Sequence, residues 1–193
     1  FKELINTAYL NRIPLSSSGF YKTNKINVNT KTLQGRPFLY FTYGAAVTEV
    51  IIDKLTGENK ILQVDIIHDV GNSINKRIDK GQIEGGYIQG LGWLTTEEVS
   101  WKSNGVLTTH SPSTYKIPTA GETPFKFNVE IYDRGFNKEK VINRSKAVGE
   151  PPFMLAISSF IALKDAVFNA NNGKNSENLI APATAENILK SLH

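Results

Sequence analysis

The chain alternates between stretches where apolar residues recur at helical spacing and stretches where they gather in short β-branched runs, and these changes delimit its elements. Phe1, Leu4, Ile5 and Ala8 share one helical face, which predicts an amphipathic opening helix that ends before Pro14. Leu15 to Gln34 is polar and holds Ser16, Ser17, Ser18 and Gly19 in a row, the texture of an extended connector. Beyond Phe38, β-branched residues gather in Val47–Ile52 and Ile61–Ile67. Asp53-Lys-Leu-Thr-Gly57 between them has turn chemistry, so the pair predicts a β-hairpin.

A second helix is predicted over Asp79 to Leu94, where Ile83, Tyr87, Leu91 and Leu94 form an apolar stripe. It carries Gly81, Gly85, Gly86, Gly90 and Gly92, each costing about 1 kcal/mol relative to Ala in a helix interior. So many glycines imply that another backbone, or a ligand, approaches closely. Glu98–Trp101 and Val106–Thr109 flank Asn104-Gly105 and predict another hairpin. Phe125, Phe127, Val129 and Ile131 alternate with polar residues, as in a half-buried strand. A loop then leads to a helix over Phe153 to Ala170, apolar nearly all round through Leu163 and therefore expected to be deeply buried. Asn171 to Asn178 predicts a polar loop, and Thr184 the N-cap of a last short helix. No internal repeat is visible. The pattern is that of an α+β fold, with β-hairpins and strands packed with a few helices, treated as one domain over residues 1–193.

Composition narrows the chemistry. Twenty-two Lys and Arg against 18 Asp and Glu give a net charge of +4, too small and too scattered for a nucleic-acid footprint. Cysteine is absent, which excludes disulfides, thiolate metal sites and iron–sulfur ligation within this chain. His68, His110 and His193 have no metal-ligand spacing, so no metal site made from this chain alone is expected. No apolar run approaches the roughly 20 residues of a bilayer span, and no membrane partner is expected. The chain opens at Phe1 without an initiator Met, directly into a helical pattern, as a segment of something longer would.

Three stretches carry candidate chemistry. In Ser145-Lys-Ala-Val-Gly-Glu150-Pro-Pro152, two prolines fit a first helical turn, and the residue before a proline is disfavoured from helical geometry. Glu150 is therefore expected at the cap of a buried helix, where the helix dipole favours its charge and burial opposes it. That balance suits a general base, but on local pattern alone a mere helix cap is the commoner arrangement. In Gly81-Gln-Ile-Glu-Gly-Gly86, Gln82 can donate and accept hydrogen bonds at once, which fits the amide-like edge of a heterocycle. Close helix packing, with Gln82 and Glu84 merely solvated, explains the same pattern. No phosphate-binding glycine motif occurs. His110-Ser-Pro-Ser-Thr-Tyr-Lys-Ile-Pro118 lacks a nucleophile elbow and reads as an ordered loop rather than a hydrolase site.

The segment Ser145 to Pro152 resembles the active-site glutamate loop of the xanthine dehydrogenase family of molybdenum hydroxylases. Other stretches agree in the same order: Leu15 to Tyr21, Tyr43 to Ala46, Glu49 to Gly57, Asp69-Val-Gly71, Gly81 to Glu84, Gln89 to Gly92 and Pro112 to Pro118. Ala181-Pro-Ala-Thr184 matches the end of bacterial members. The resemblance covers nearly the whole chain and implies the C-terminal portion of a molybdopterin-binding domain. It aligns Glu150 with the family's general base and Gln82 with a glutamine that hydrogen-bonds the molybdopterin. It implies an oxidoreductase that hydroxylates purines such as hypoxanthine and xanthine, with a molybdenum–molybdopterin shared with an upstream region. FAD and 2Fe-2S clusters belong to the complete enzyme and not to this chain. The partners implied are the purine, the remaining molybdenum region and the FAD and iron–sulfur domains, in a cytoplasmic, oligomeric enzyme. Alone, the chain is expected not to turn over. An inert folded module and a part of an aldehyde oxidase-type hydroxylase are the alternatives.

Overall fold

The structure is a computed structural model that describes residues 1–173 and 176–193, so the predicted polar loop from Asn171 to Asn178 lies partly outside the described residues. The chain divides into two compact units, residues 1–39 and 40–193.

In the first unit, helix α1 (Lys2–Leu10) forms as expected, with no buried residue. The stretch read as an extended connector contains a short antiparallel hairpin, β1 (Asn27–Asn29) with β2 (Gln34–Arg36). Local side-chain chemistry explains the difference. Asn29 Oδ1 accepts from the backbone N–H groups of Lys31 and Thr32 and so folds the chain back. Gly35, at φ +135°, sits where any Cβ would strike the Asn27 carbonyl.

The second unit is built on a three-stranded sheet. Strands β3 (Gly44–Ile52) and β4 (Asn59–His68) form the predicted antiparallel hairpin, with a bulge at Glu49/Val50. Asp53 Oδ1 accepts from Leu55 and Thr56 N–H to close the turn, and Gly57 provides its positive φ of 73°. Strand β5 (Lys126–Ile131) pairs parallel with the other edge of β4, giving the order β3-β4-β5. Parallel pairing requires a long crossover, and helix α2 (Lys76–Thr95) lies within it. Asn75 caps α2, its Oδ1 accepting from Arg77 N (3.1 Å) and Ile78 N (3.2 Å).

Ile83, Tyr87 and Leu91, one helical turn apart, lay α2 on Val64 and Ile66 of β4 and Val129 of β5. Each such large apolar side chain contributes about 1.5–3 kcal/mol when fully buried. On the other flank of the sheet's edge, Leu163, Val167, Leu179, Ala183 and Ile188 form a second cluster against Val50 and Ile52. Helix α4 (Ala185–Leu192) completes it, capped as predicted by Thr184 Oγ1 on Asn187 N at 3.3 Å.

Four expectations change. The hairpin predicted around Asn104-Gly105 reduces to one bridge, Trp101 to Leu107. Val99, Trp101 and Val106 stay exposed, so no buried face fixes a longer ladder. The helix predicted from Phe153 opens as a 3-10 stretch at Pro151–Ala156 and becomes α3 (Ile157–Ala170) only afterwards. Nor is it deeply buried: Met154 is 56% and Ile161 51% exposed, and only Ser159, Leu163 and Val167 of α3 are buried. The sheet edge offers it one face, so one stripe is covered. Residues Pro151–Ala170 are also long and apolar enough to cross a bilayer by length and composition, contrary to expectation, although α3 packs that stripe on β3 and carries Lys164 and Asp165.

Four of the five glycines of α2 separate into two groups, while at Gly92 an added Cβ would meet the side chains of Glu97 and Pro118. A Cβ at Gly90 would collide with the Phe153 carbonyl, and one at Gly86 would lie 3.0 Å from the Gly149 carbonyl. Here another backbone does approach closely. At Gly81 and Gly85 an added Cβ meets nothing within 4 Å. Gly90→Ala should therefore destabilise the chain by about 1–3 kcal/mol through overpacking. Gly85→Ala should gain up to about 1 kcal/mol from helix propensity. Denaturant unfolding of both variants checks the contrast, and equal effects would contradict the close approach at Gly90.

Candidate functional site

The loop from Ser145 to Glu150 runs beside the end of β4. Its course is set residue by residue. Ser145 bridges to Gly71, and its carbonyl accepts from the Asn137 side chain at 2.9 Å. Lys146 N donates to the Val70 carbonyl at 2.8 Å. The Lys146 ammonium forms an ion pair with Asp69, with the two side chains 6% and 10% exposed. The Tyr43 ring stands 5.0 Å from that ammonium. Ala147 N donates to the Tyr40 hydroxyl at 3.1 Å, and the Thr42 hydroxyl donates to the Ala147 carbonyl at 3.4 Å. Val148 packs against the core.

Gly149 then passes over α2. Gln82 Oε1 lies 3.5 Å from the place a Gly149 Cβ would take, so the loop that leads into Glu150 passes beside Gln82. Glu84 is two residues farther along the helix, about 200° round its axis, and does not share that face. Glu150 occupies the cap position before Pro151, as expected, but differs from expectation in three respects. Its backbone is near-helical, at φ −95° and ψ −33°, and its side chain makes no capping hydrogen bond. It is exposed rather than buried in this chain. The Glu150 carbonyl accepts from Phe153 N at 3.0 Å, a tight turn that draws the residue into helical geometry despite the following proline. Trp93 meets the Phe153 ring edge-on at 4.6 Å and holds the start of that turn on α2.

Periodicity missed the residues that hold this loop. Asp69 and Lys146 are 77 residues apart, and no spacing pattern pairs them. Both lie in segments that resemble the family, which is the signal that could have singled them out. His68 is buried at 2% exposure beside Asp69, and its Nδ1 has no partner among the described residues. Burial pulls its pKa below the usual 6.5, with Lys146 acting in the same direction and Asp69 against it.

The His110–Pro118 loop is ordered and does not form a hydrolase site. Ser111 Oγ shares hydrogen bonds with Ser113 and Thr114, not with His110. Tyr115 donates to Glu97 at 2.6 Å, which raises the phenol's pKa, and Thr96 donates to the Lys116 carbonyl at 3.0 Å. No three His, Asp or Glu side chains converge as metal ligands among the described residues.

The family model for the molybdopterin cofactor-binding domain matches residues 1–124. The chain belongs to the molybdopterin cofactor-binding domain family. That match includes Gln82 and ends before Glu150, but similarity to individual relatives extends farther. The chain is 47% identical to the xanthine dehydrogenase/oxidase of Felis catus, over 97% of this chain and 14% of that protein. It is 46% identical to the xanthine dehydrogenase of Oryza sativa, again over 97% of this chain and 14% of the relative. Among solved structures it resembles a Cu,Mo-CO dehydrogenase, with a TM-score of 0.68 and 26% identity over 79% of this chain and 19% of that one. The aldehyde oxidoreductase of Desulfovibrio desulfuricans aligns with a TM-score of 0.66 and 25% identity over 83% of this chain and 16% of that one. The chain thus spans about one seventh of the length of its sequence relatives.

His68 yields a stability prediction for this family member. Its folded pKa is depressed, so the unfolded chain binds the proton more readily. The stability contributed is present above the usual value of 6.5 and declines as pH falls from 6.5 towards the folded pKa. Melting temperature measured across that window should drop on acidification, and His68→Gln should flatten the drop. An unchanged slope would exclude His68 as its source.

Proposed function

We propose that this chain is part of a xanthine dehydrogenase-type molybdenum hydroxylase, in which Glu150 is the general base and Gln82 holds the cofactor. The observation that carries the reading is the juxtaposition of Gln82 with Gly149, which sets the carboxamide next to the Glu150 loop. The surrounding surface fits a large planar group. Gly81, Gln82 and Gly85 are exposed neighbours on α2, and neither glycine has an atom within 4 Å of an added Cβ. A ring system can therefore approach bare helix backbone while the Gln82 amide donates and accepts at its edge. A bound molybdenum–molybdopterin would supply the redox chemistry of purine hydroxylation.

Glu150 supplies the proton acceptor. It is exposed and its side chain makes no capping bond, while its backbone is fixed by the Pro151-Pro152 turn and by the ties on Lys146 and Ala147. A carboxylate on a rigid mount takes a proton without first losing a competing hydrogen bond. The FAD and iron–sulfur groups reside in other parts of a complete, oligomeric, cytoplasmic enzyme. The exposed apolar stripes of β3 (Val47, Ile51) and α3 (Ile157, Ile161) suit packing against those parts. The chain alone supplies one wall of the site and is inactive. Purine oxidation is favoured over aldehyde oxidation by the 47% identity to a xanthine dehydrogenase/oxidase, against 25% to the aldehyde oxidoreductase.

Glu150→Gln in the complete enzyme should slow reduction by xanthine roughly 10²–10⁴-fold, or about 3–5 kcal/mol in the barrier, with cofactor content intact. Single-turnover kinetics beside a thermal melt tests this. A near-normal rate would remove Glu150 as the base.

Gln82→Ala removes a hydrogen-bond partner, a loss of about 1–3 kcal/mol where the other group is left unpaired. Molybdenum content or turnover should fall while the fold survives. Unchanged content and turnover would remove Gln82 from the site.

A further inference from the structure

The Glu150 carboxylate has no hydrogen bond of its own to the helix, so its position depends on the loop that precedes it. Beside the ties on Ser145 and Ala147, Lys146 supplies the buried ionic one. Lys146 donates its backbone N–H to Val70, sets its ammonium against Asp69 and carries the Tyr43 ring beside it. Asp69 is in turn fixed from two sides. Its Oδ1 accepts from Gly71 N at 2.8 Å, and its own N–H donates to the Tyr43 carbonyl at 2.8 Å. Both side chains are almost fully buried, in contrast to the surface pairs Lys60–Glu58 and Lys190–Glu186. A buried ion pair gains little net stability over apolar packing, and its value lies in fixing one geometry. Four residues after Lys146 comes Glu150, and between them Gly149 rests on Gly86 and beside Gln82.

We propose that Lys146 and Asp69 are positioning residues that act through Glu150, holding its carboxylate in register with the Gln82 face. The inference rests on the reading of Glu150 as the general base. In this reading the pair acts through Glu150 and not by contact with substrate or cofactor. Its contribution is the placement of the proton acceptor, where an error of about 1 Å can cost 10²-fold in rate.

The test uses the complete, cofactor-loaded enzyme. Lys146→Met alone strands a buried carboxylate, so it is accompanied by the neutral double variant Asp69→Asn/Lys146→Met, in which the Asn amide oxygen can still accept from Gly71 N–H. In the double variant the limiting rate of reduction by xanthine should fall roughly 10- to 100-fold, because the acceptor is misplaced. Substrate affinity should stay within about threefold, since no binding group is removed. Amide exchange of the peptide covering residues 146–150 should accelerate, a readout independent of turnover. The decisive measurement adds Glu150→Gln. A residue that works through Glu150 costs nothing further once that carboxylate is gone, whereas a general structural role costs the same in both backgrounds. A slow Glu150→Gln enzyme on which the neutral pair has no added effect supports the proposal. A normal rate for the neutral pair, or a full additive loss on top of Glu150→Gln, overturns it and leaves Glu150 as the base. A normal rate for Glu150→Gln itself overturns the base reading and the positioning role with it.

Discussion

Helix α2 and the chain from Gly149 to Phe153 meet backbone to backbone, and the rest of the unit from residue 40 onward is arranged around that contact. Gly86 and Gly90 lie one turn apart on the same face, so the missing side chains form a continuous groove for the passing chain. On the neighbouring face, Ile83, Tyr87 and Leu91 fix α2 to the sheet. The helix therefore transmits the position of the sheet to the loop with little slack. Interiors pack at crystal-like density, so a methyl at Gly90 would strike the Phe153 carbonyl, and one at Gly86 would require the Gly149 carbonyl to give by a few tenths of an ångström. The helix propensity lost at these glycines is offset by an approach that no other residue permits.

Polar contacts within the unit follow the same geometry. Thr48 of β3 reaches Tyr87 at 3.2 Å and Ser158 at 2.7 Å, and Tyr87 also bonds Ser159. Four hydroxyls thus join β3, α2 and the start of α3, satisfying the Tyr87 phenol that the core would otherwise isolate. The Asp69–Lys146 pair has the same relation to the loop: buried polar groups meet defined partners, and each set links segments distant in sequence.

Most of the architecture was legible in the residues. The β3–β4 hairpin, α2, β5 and the Thr184 cap each announce themselves through period, turn chemistry or a capping side chain. What escaped has physical causes. The β1–β2 hairpin depends on Asn29 bonding its own backbone, not on apolar period. Parallel pairing of β5 leaves no local signature. The exposure of α3 reflects how little surface a three-stranded sheet offers, which an apolar sequence cannot reveal. At the proposed site, proline context together with family likeness singled out Glu150, and the glycine setting together with the same likeness singled out Gln82. That Gly149, just before Glu150, crosses α2 beside Gln82 has no counterpart in any spacing along the chain.

The parallel register of β4 and β5 bears on how the molecule assembles. Gln63 pairs with Lys126 and His68 with Ile131, so the closing of this sheet must gather the whole of α2 and the loops beside it. Contacts of such sequence separation form late, because the entropy of closing a long loop is lost before pairing returns anything. The hairpin β3–β4 and helix α2 are local and can form early. The Lys146 segment can dock on Asp69 only after both exist. The face that carries Gln82 and Glu150 is then expected to take its shape late, and in a nascent chain the Glu150 side chain stays unplaced until the long-range contacts close.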